Sequence, residues 1–140
     1  MFLEKAELNT VGTIEVINLI TGSVDEIITN IILENIDIIS TYLHQYYDTE
    51  AIFSATGDDR NLSILKHLKA MVIHAIYKRR SKTMNESAKE DYDEAMMWLE
   101  KVGKGEIKPN LPVRVNTVDG LPVEATFLKL GSRKNYPNHF

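Results

Sequence analysis

A long run of isoleucines, spaced like the turns of a helix, is the feature that most constrains the fold. The segment from Ser23 to Tyr47 carries apolar residues at steps of three and four, which predicts one helix of about six to seven turns. Ser23 and Glu26 predict a capping box at its start. Isoleucine is only a moderate helix former, so burial must hold this helix. We therefore expect it to be the central helix, covered by several neighbours.

Length and composition are compatible with one small domain. The chain has 140 residues, enough to bury one hydrophobic core. It contains no cysteine, which excludes disulfides and thiolate metal sites. The first residues do not combine a basic region with an apolar run, so no signal peptide is predicted. Glu34 and Asp37 interrupt the longest helix, and we expect no membrane contact.

Three more helices are expected around the long one. Residues 13–20 predict a short helix that begins at Thr13 and ends before Gly22. A second long helix is expected over residues 59–80, beginning at acidic residues. Its apolar stripe faces the core and consists of Leu62, Leu65, Leu68, Val72, Ala75 and Ile76. A third is expected over residues 85–102, behind a capping box of Thr83 and Glu86. The fold class is therefore all-α, a small helical bundle with one long central helix.

A change of composition near Lys108 predicts a second segment. All four prolines follow it, at positions 109, 112, 122 and 137. Residues 113–118 alternate as a strand does, Asp119-Gly120 is a turn dipeptide, and residues 121–130 can return as a second strand. We divide the chain into a helical body, 1–107, and a C-terminal extended or β-hairpin arm, 108–140. A lone hairpin is marginal in water, so we expect a partner to order the arm, with docking on its own helices as the alternative.

Charge is divided unevenly between body and arm. Residues 1–107 carry 11 basic and 18 acidic side chains, whereas residues 108–140 carry 5 basic and 2 acidic ones. A basic arm on an acidic body predicts that the arm meets an acidic partner surface, although a solvated tail has the same composition. Charge alone leaves both interpretations open.

The sequence contains no arrangement typical of an enzyme. His67 and His74 lie two helical turns apart, too far to bind one metal ion, and are expected on the helix surface. The chain has neither a Gly-x-Ser-x-Gly elbow nor a glycine-rich phosphate loop. We expect no enzymatic activity, no cofactor and no metal.

Two features of the body are candidate interfaces. Arg79 and Arg80 belong to a basic cluster at the end of the second long helix. The cluster is open to three interpretations: helix-end charge, subunit pairing, or DNA binding by a small helical regulatory module. Trp98 lies at the edge of the apolar stripe of the third helix, where either core packing or an interface is possible.

Three segments resemble a known family. The first long helix ends in Tyr42-Leu43 and Tyr46-Tyr47, the second ends in Tyr77-Lys78-Arg79-Arg80, and the third reads Tyr92-Asp93-Glu94-Ala95-Met96-Met97-Trp98-Leu99 before Gly103-Lys104-Gly105. This order is similar to that of the Mu-like prophage family of tailed-phage head–tail connector, adaptor or head-completion proteins. The similarity covers about residues 2–107, and the Ser132-Arg133-Lys134 ending resembles the family more weakly.

The resemblance implies a structural virion protein at the head–tail junction, which occupies the host cytoplasm during assembly. It implies a ring of copies, a dodecamer, below the portal, with the portal and the tail or neck proteins as partners. DNA would pass through the ring without sequence-specific binding. The arm would reach the portal or a neighbouring copy. The expected interface residues are Arg79, Arg80, Trp98, Arg114, Arg133, Lys134 and Tyr136.

Overall fold

The computed structural model describes residues 1–79 and 86–115, and they form a bundle of α-helices. A 3₁₀ segment, Lys5–Thr10, precedes a short helix α1 (Ile14–Thr21) and a long helix α2 (Asp25–Leu43). After a one-and-a-half-turn helix α3 (Thr49–Ser54) and a 3₁₀ turn, Gly57–Asp59, come the long helices α4 (Leu62–Lys78) and α5 (Glu86–Gly103). The all-α prediction for the body is confirmed.

Helix α2 packs against α1, α3, α4, α5 and the first 3₁₀ segment, as expected for a central helix covered by several neighbours. Helix α4 contacts α1, α2 and α5 and buries nine of its residues, whereas α2 buries six. Within the described residues, α2 keeps one exposed side, where Leu33 and Ile38 are 52% and 43% exposed.

The corner between α1 and α2 differs from the predicted capping box. Gly22 ends α1 in the left-handed conformation, as predicted, and its amide donates to the carbonyl of Asn18. Ser23 is also left-handed, with φ of 60°, so it lies outside α2. The N-cap residue is Val24, and no side chain caps α2 there. The Thr83–Glu86 capping box falls partly outside the described residues.

Helix α2 ends at Leu43, one turn earlier than predicted, because the chain after it pairs with a distant segment. The amide of Asp48 donates to the carbonyl of Pro112, and the amide of Arg114 donates to the carbonyl of Tyr46, both at 2.9 Å. Tyr47 and Val113 form an isolated antiparallel bridge between these bonds. Leu111 is buried beside them. Residues 108–115, the arm root, therefore pack on the body, and the predicted hairpin beyond them lies outside the described residues.

Helix α4 begins two to three residues later than predicted, because an asparagine caps it. The side-chain oxygen of Asn61 accepts a hydrogen bond from the amide of Ile64. The acidic pair Asp58-Asp59 belongs to the preceding 3₁₀ turn. Leu62, expected in the apolar stripe, is 78% exposed at the first position of the helix.

Arg60, which lies just before α4, binds the N-terminal segment. The guanidinium of Arg60 donates to the carbonyl of Phe2 and forms a two-nitrogen ion pair with the carboxylate of Glu7. Phe2 and Leu3 are buried in the core, and the ring of Phe2 meets that of Phe53 edge to face. Ile52 is buried in the core, and Phe53 packs against it.

Helix directions fix which ends of the bundle lie together. His67 of α4 meets Trp98 of α5, and His74 meets Tyr92, so α4 and α5 are antiparallel. Gly103, at the end of α5, packs on the backbone of Tyr42 near the end of α2. The C-terminal ends of α2 and α5 therefore share one end of the bundle with the arm root, and the C-terminal end of α4 lies at the other.

Candidate interaction surfaces

The predicted interface residues are spread over the molecule. Arg79 is exposed at the C-terminal end of α4, and Arg114 is exposed at the opposite end of the bundle. The side chain of Trp98 lies on the seam between α4 and α5. The other four, Arg80, Arg133, Lys134 and Tyr136, lie outside the described residues. No two of the three described residues come together in one site.

Trp98 packs against a buried histidine. Its ring centroid lies 4.7 Å from that of His67, and its side chain is half-buried against the core. His67 is only 6% exposed, so the prediction of a surface histidine was wrong for this residue. Burial lowers the pKa of His67, and the nearby Lys66 lowers it further, whereas Glu94 opposes the shift. The two rings, tilted by 32° to each other, fill this part of the seam.

His74 makes a second ring contact on the same seam, and this one is stacked. Its ring lies 3.8 Å from that of Tyr92 and nearly parallel to it. Partial burial lowers the pKa of His74, with a smaller contribution from Lys78 in the same direction and an opposing one from Asp93. Both histidines thus favour their neutral form in the folded protein, and both belong to the packing between α4 and α5.

An open cleft lies at the arm root. Its volume is about 490 Å³, and it is lined by His44, Tyr47, Asp48, Thr49, Glu50, Arg114 and Val115. The guanidinium of Arg114 donates to the carbonyl of His44, at the end of α2. The arginine thus satisfies a carbonyl at a helix end, where positive charge is favourable. A smaller cleft of about 270 Å³ lies between α3 and the arm root.

One side of α2 faces away from the bundle. We call it the α2 outer face, and it consists of seven exposed residues: Glu26, Asn30, Leu33, Glu34, Asp37, Ile38 and Thr41. They recur at steps of three and four, so they lie on one side of the helix. Within the described residues, the three carboxylates on this face form no ion pair.

The exposure of Leu33 and Ile38 on this face was not predicted from the sequence. The burial of His67 was not predicted either. The sequence does contain a signal for the outer face, because α2 includes acidic residues and no lysine or arginine.

Within residues 1–79 and 86–115, no group of three or more His, Asp or Glu side chains could hold a metal ion. No single helix there is both long and apolar enough to cross a membrane. Helices α1 and α2 reach that length and composition only as a pair, and the pair is bent by 99°.

Comparison with known proteins gives one family. The family model described as "Bacteriophage Mu, Gp36" matches residues 3–120. The matched range contains all five helices and the arm root. No curated protein and no solved structure matches the chain.

Proposed function

The chain belongs to the bacteriophage Mu Gp36 family and is a phage protein, and we propose that it is a structural virion protein that joins the capsid to the tail. In this proposal it is a head–tail adaptor that assembles as a ring, a dodecamer, below the portal. The observation that carries the proposal is the family match over residues 3–120. The protein acts without enzymatic activity or cofactor.

The partners in this proposal are other copies of the chain, the portal, and tail or neck proteins. DNA passes through the ring without sequence-specific binding, and no membrane takes part. The protein is in the host cytoplasm during assembly and at the head–tail junction afterwards. A closed ring needs two different surfaces on each copy, which meet head to tail. The body offers surfaces of different character, since Lys78 and Arg79 are exposed at one end while the α2 outer face is acidic and partly apolar.

The proposal is tested by capture from a lysate in which the virus is assembling. The baits are the full-length chain and a chain that ends at Val115, which keeps the arm root and its contacts with Tyr46 and Asp48. We expect the full-length bait to capture portal or tail proteins, identified by mass spectrometry. Loss of capture by the shortened bait would assign docking to residues 116–140. An adaptor role is contradicted if neither bait captures a virion protein.

A nucleic-acid-binding module is the second candidate, and the exposure of Lys78 and Arg79 together is the observation that favours it. Six acidic residues on the adjacent α5 oppose the approach of phosphates. Binding of duplex DNA at low salt, lost in Arg79→Glu with Arg80→Glu, would support this candidate. No shift of the duplex at low salt would remove it.

A further inference from the structure

The α2 outer face combines uncompensated negative charge with exposed apolar surface. Glu26, Glu34 and Asp37 supply the charge, and Leu33 and Ile38 are about half-exposed beside them. Asp25, which is not part of this face, is bound by Lys5 at 2.6 Å. The carboxylates of the outer face have no such partner among the described residues. A surface of this kind fits a segment that carries cations and apolar side chains together.

Neighbouring sequence does not supply the missing cations. From Ala6 to Asp59 the chain contains ten acidic residues and no lysine or arginine. The lysines and arginines of the described residues are Lys5 and those from Arg60 onward. The half of the bundle built from α1, α2 and α3 therefore carries a negative field that its own residues do not neutralise.

The C-terminal residues 125–140 have the complementary chemistry. They contain Lys129, Arg133 and Lys134 and no acidic residue. Apolar and aromatic residues are interspersed with these cations, namely Phe127, Leu128, Leu130, Tyr136 and Phe140. Their composition therefore matches both the charge and the apolar character of the α2 outer face.

The described chain also ends near the C-terminal end of α2, the helix that carries that face. Arg114 is bonded to the carbonyls of His44 and Tyr46, just after the C-terminal end of α2. The nine residues 116–124 can span up to about 30 Å at roughly 3.3 Å per residue. Helix α2 has 19 residues, which corresponds to a length of about 28 Å. The segment 125–140 can therefore reach any part of the outer face of its own copy.

We propose that the α2 outer face is the docking surface for residues 125–140 of the same chain. Residues 116–124 link residues 125–140, here called the C-terminal tail, to the body. This link gives the C-terminal tail an effective concentration of the order of millimolar at the α2 outer face of the same chain. In dilute solution it therefore binds that face in preference to the face of a second copy. Each exposed ion pair contributes little, about 0–1 kcal/mol, so the contact is reversible and weakened by salt. The inference does not rest on the adaptor function, since it concerns the chain alone.

The test uses the full-length chain with one nitroxide label in the tail. The protein has no cysteine, so Ser132→Cys gives a single labelling site. The expected result is strong paramagnetic broadening of the amide signals of residues 26–41 when label and isotope are on the same chain. The broadening should disappear at about 1 M salt, where charges are screened beyond about 3 Å. No broadening on α2, or broadening centred on α5, overturns the proposal.

Charge-reversal variants with a matched control make the test specific. Glu34→Lys with Asp37→Lys should abolish the broadening, whereas Glu90→Lys with Asp93→Lys, which reverses two exposed charges at the same spacing on α5, should preserve it. Arg133→Glu with Lys134→Glu changes only residues 125–140 and should also abolish the broadening. This variant keeps the proposal testable if the α2 variant does not fold. Broadening that persists in both the α2 and the tail variants overturns the proposal.

A mixed sample separates the two possible origins of the tail. Isotope-labelled chains without nitroxide are combined with nitroxide-labelled chains without isotope. We expect no broadening of α2 signals in this mixture in dilute solution. Broadening in the mixture is compared with that of the sample in which label and isotope are on the same chain. Equal broadening in the two samples would mean that residues 125–140 come from a second copy, and it would overturn docking within one chain.

Discussion

The backbone amide of Arg114 donates to the carbonyl of Tyr46 over 2.9 Å, which joins the arm root to the chain that follows α2. With the bond from Asp48 to Pro112, this pairing holds the arm root on the body and places Leu111 in the core. We therefore expect a chain that ends at Lys108 to lose about 2–5 kcal/mol of unfolding free energy, the cost typical of removing one large core side chain. Urea denaturation measures the loss. A chain that ends at Val115 is the control and should lose much less, because the exposed ion pairs of residues 125–140 with α2 each contribute little. Equal stability of the two shortened chains would contradict the packing.

The ion pair between Arg60 and Glu7 is expected to stabilise the fold more than the other long-range pairs. The two side chains are only 15% and 28% exposed, and two guanidinium nitrogens bind the two carboxylate oxygens. Arg60→Lys keeps the charge but loses the paired geometry, so it should cost about 1.5–3 kcal/mol, as expected for a hydrogen bond to a charged group. Lys66→Ala is the matched control, because Lys66 and Glu94 are 66% and 58% exposed and such pairs contribute about 0–1 kcal/mol. Equal losses in chemical denaturation would contradict this ranking.

Acidification should weaken the seam between α4 and α5 before it affects carboxylates. Burial lowers the pKa values of His67 and His74 below their ordinary value of 6.5, so the unfolded chain binds protons more readily than the folded one. The stabilisation is complete above pH 6.5 and is lost as the pH falls below it toward the folded pKa values. The melting temperature should fall from pH 7.5 to pH 5.5, and His67→Phe should reduce that fall while retaining a ring against Trp98. A His67→Phe profile like that of the parent would contradict the assignment.

Ser23→Gly distinguishes the observed corner from a capping box. Ser23 is left-handed, with φ of 60°, and its side chain does not cap α2. Glycine adopts this conformation without the cost of a β-carbon, so the substitution should raise the unfolding free energy by up to about 1 kcal/mol. A capping serine would give the opposite sign. Gly22→Ala is the companion variant and should lower stability by about 1 kcal/mol, because Gly22 has φ of 65°. Calorimetry measures the change in unfolding free energy of both variants. A destabilised Ser23→Gly would favour the capping box.

Glycine residues in the sequence predicted the C-terminal ends of α1 and α5. Gly22 stops α1 at the expected place, and α5 ends at Gly103, one residue from the prediction. Position alone did not fix the caps, since Val24 rather than Ser23 precedes α2, and Asn61 rather than the acidic pair begins α4. Alternative caps one or two residues apart differ by little free energy, and the tertiary packing decides between them.

The remaining differences come from contacts between distant parts of the chain. Helix α2 ends early because residues 46–48 pair with residues 112–114, and no local pattern encodes that pairing. His67 is buried because Trp98 covers it from another helix. The outer face could have been found from the sequence, because a long segment without any cation forms one exposed side of α2. All seven expected interface residues stay predictions, as does the division of the chain at Lys108.

The most direct test of the adaptor role is a head–tail joining assay with a phage or prophage in which the gene for this chain is disrupted. The induced lysate is separated by sedimentation and inspected by electron microscopy, before and after addition of the purified full-length protein. The adaptor role predicts separate DNA-filled heads and free tails in the disrupted lysate, and joined, infectious particles after the protein is added. Joined particles that form at the normal level without the protein would contradict it.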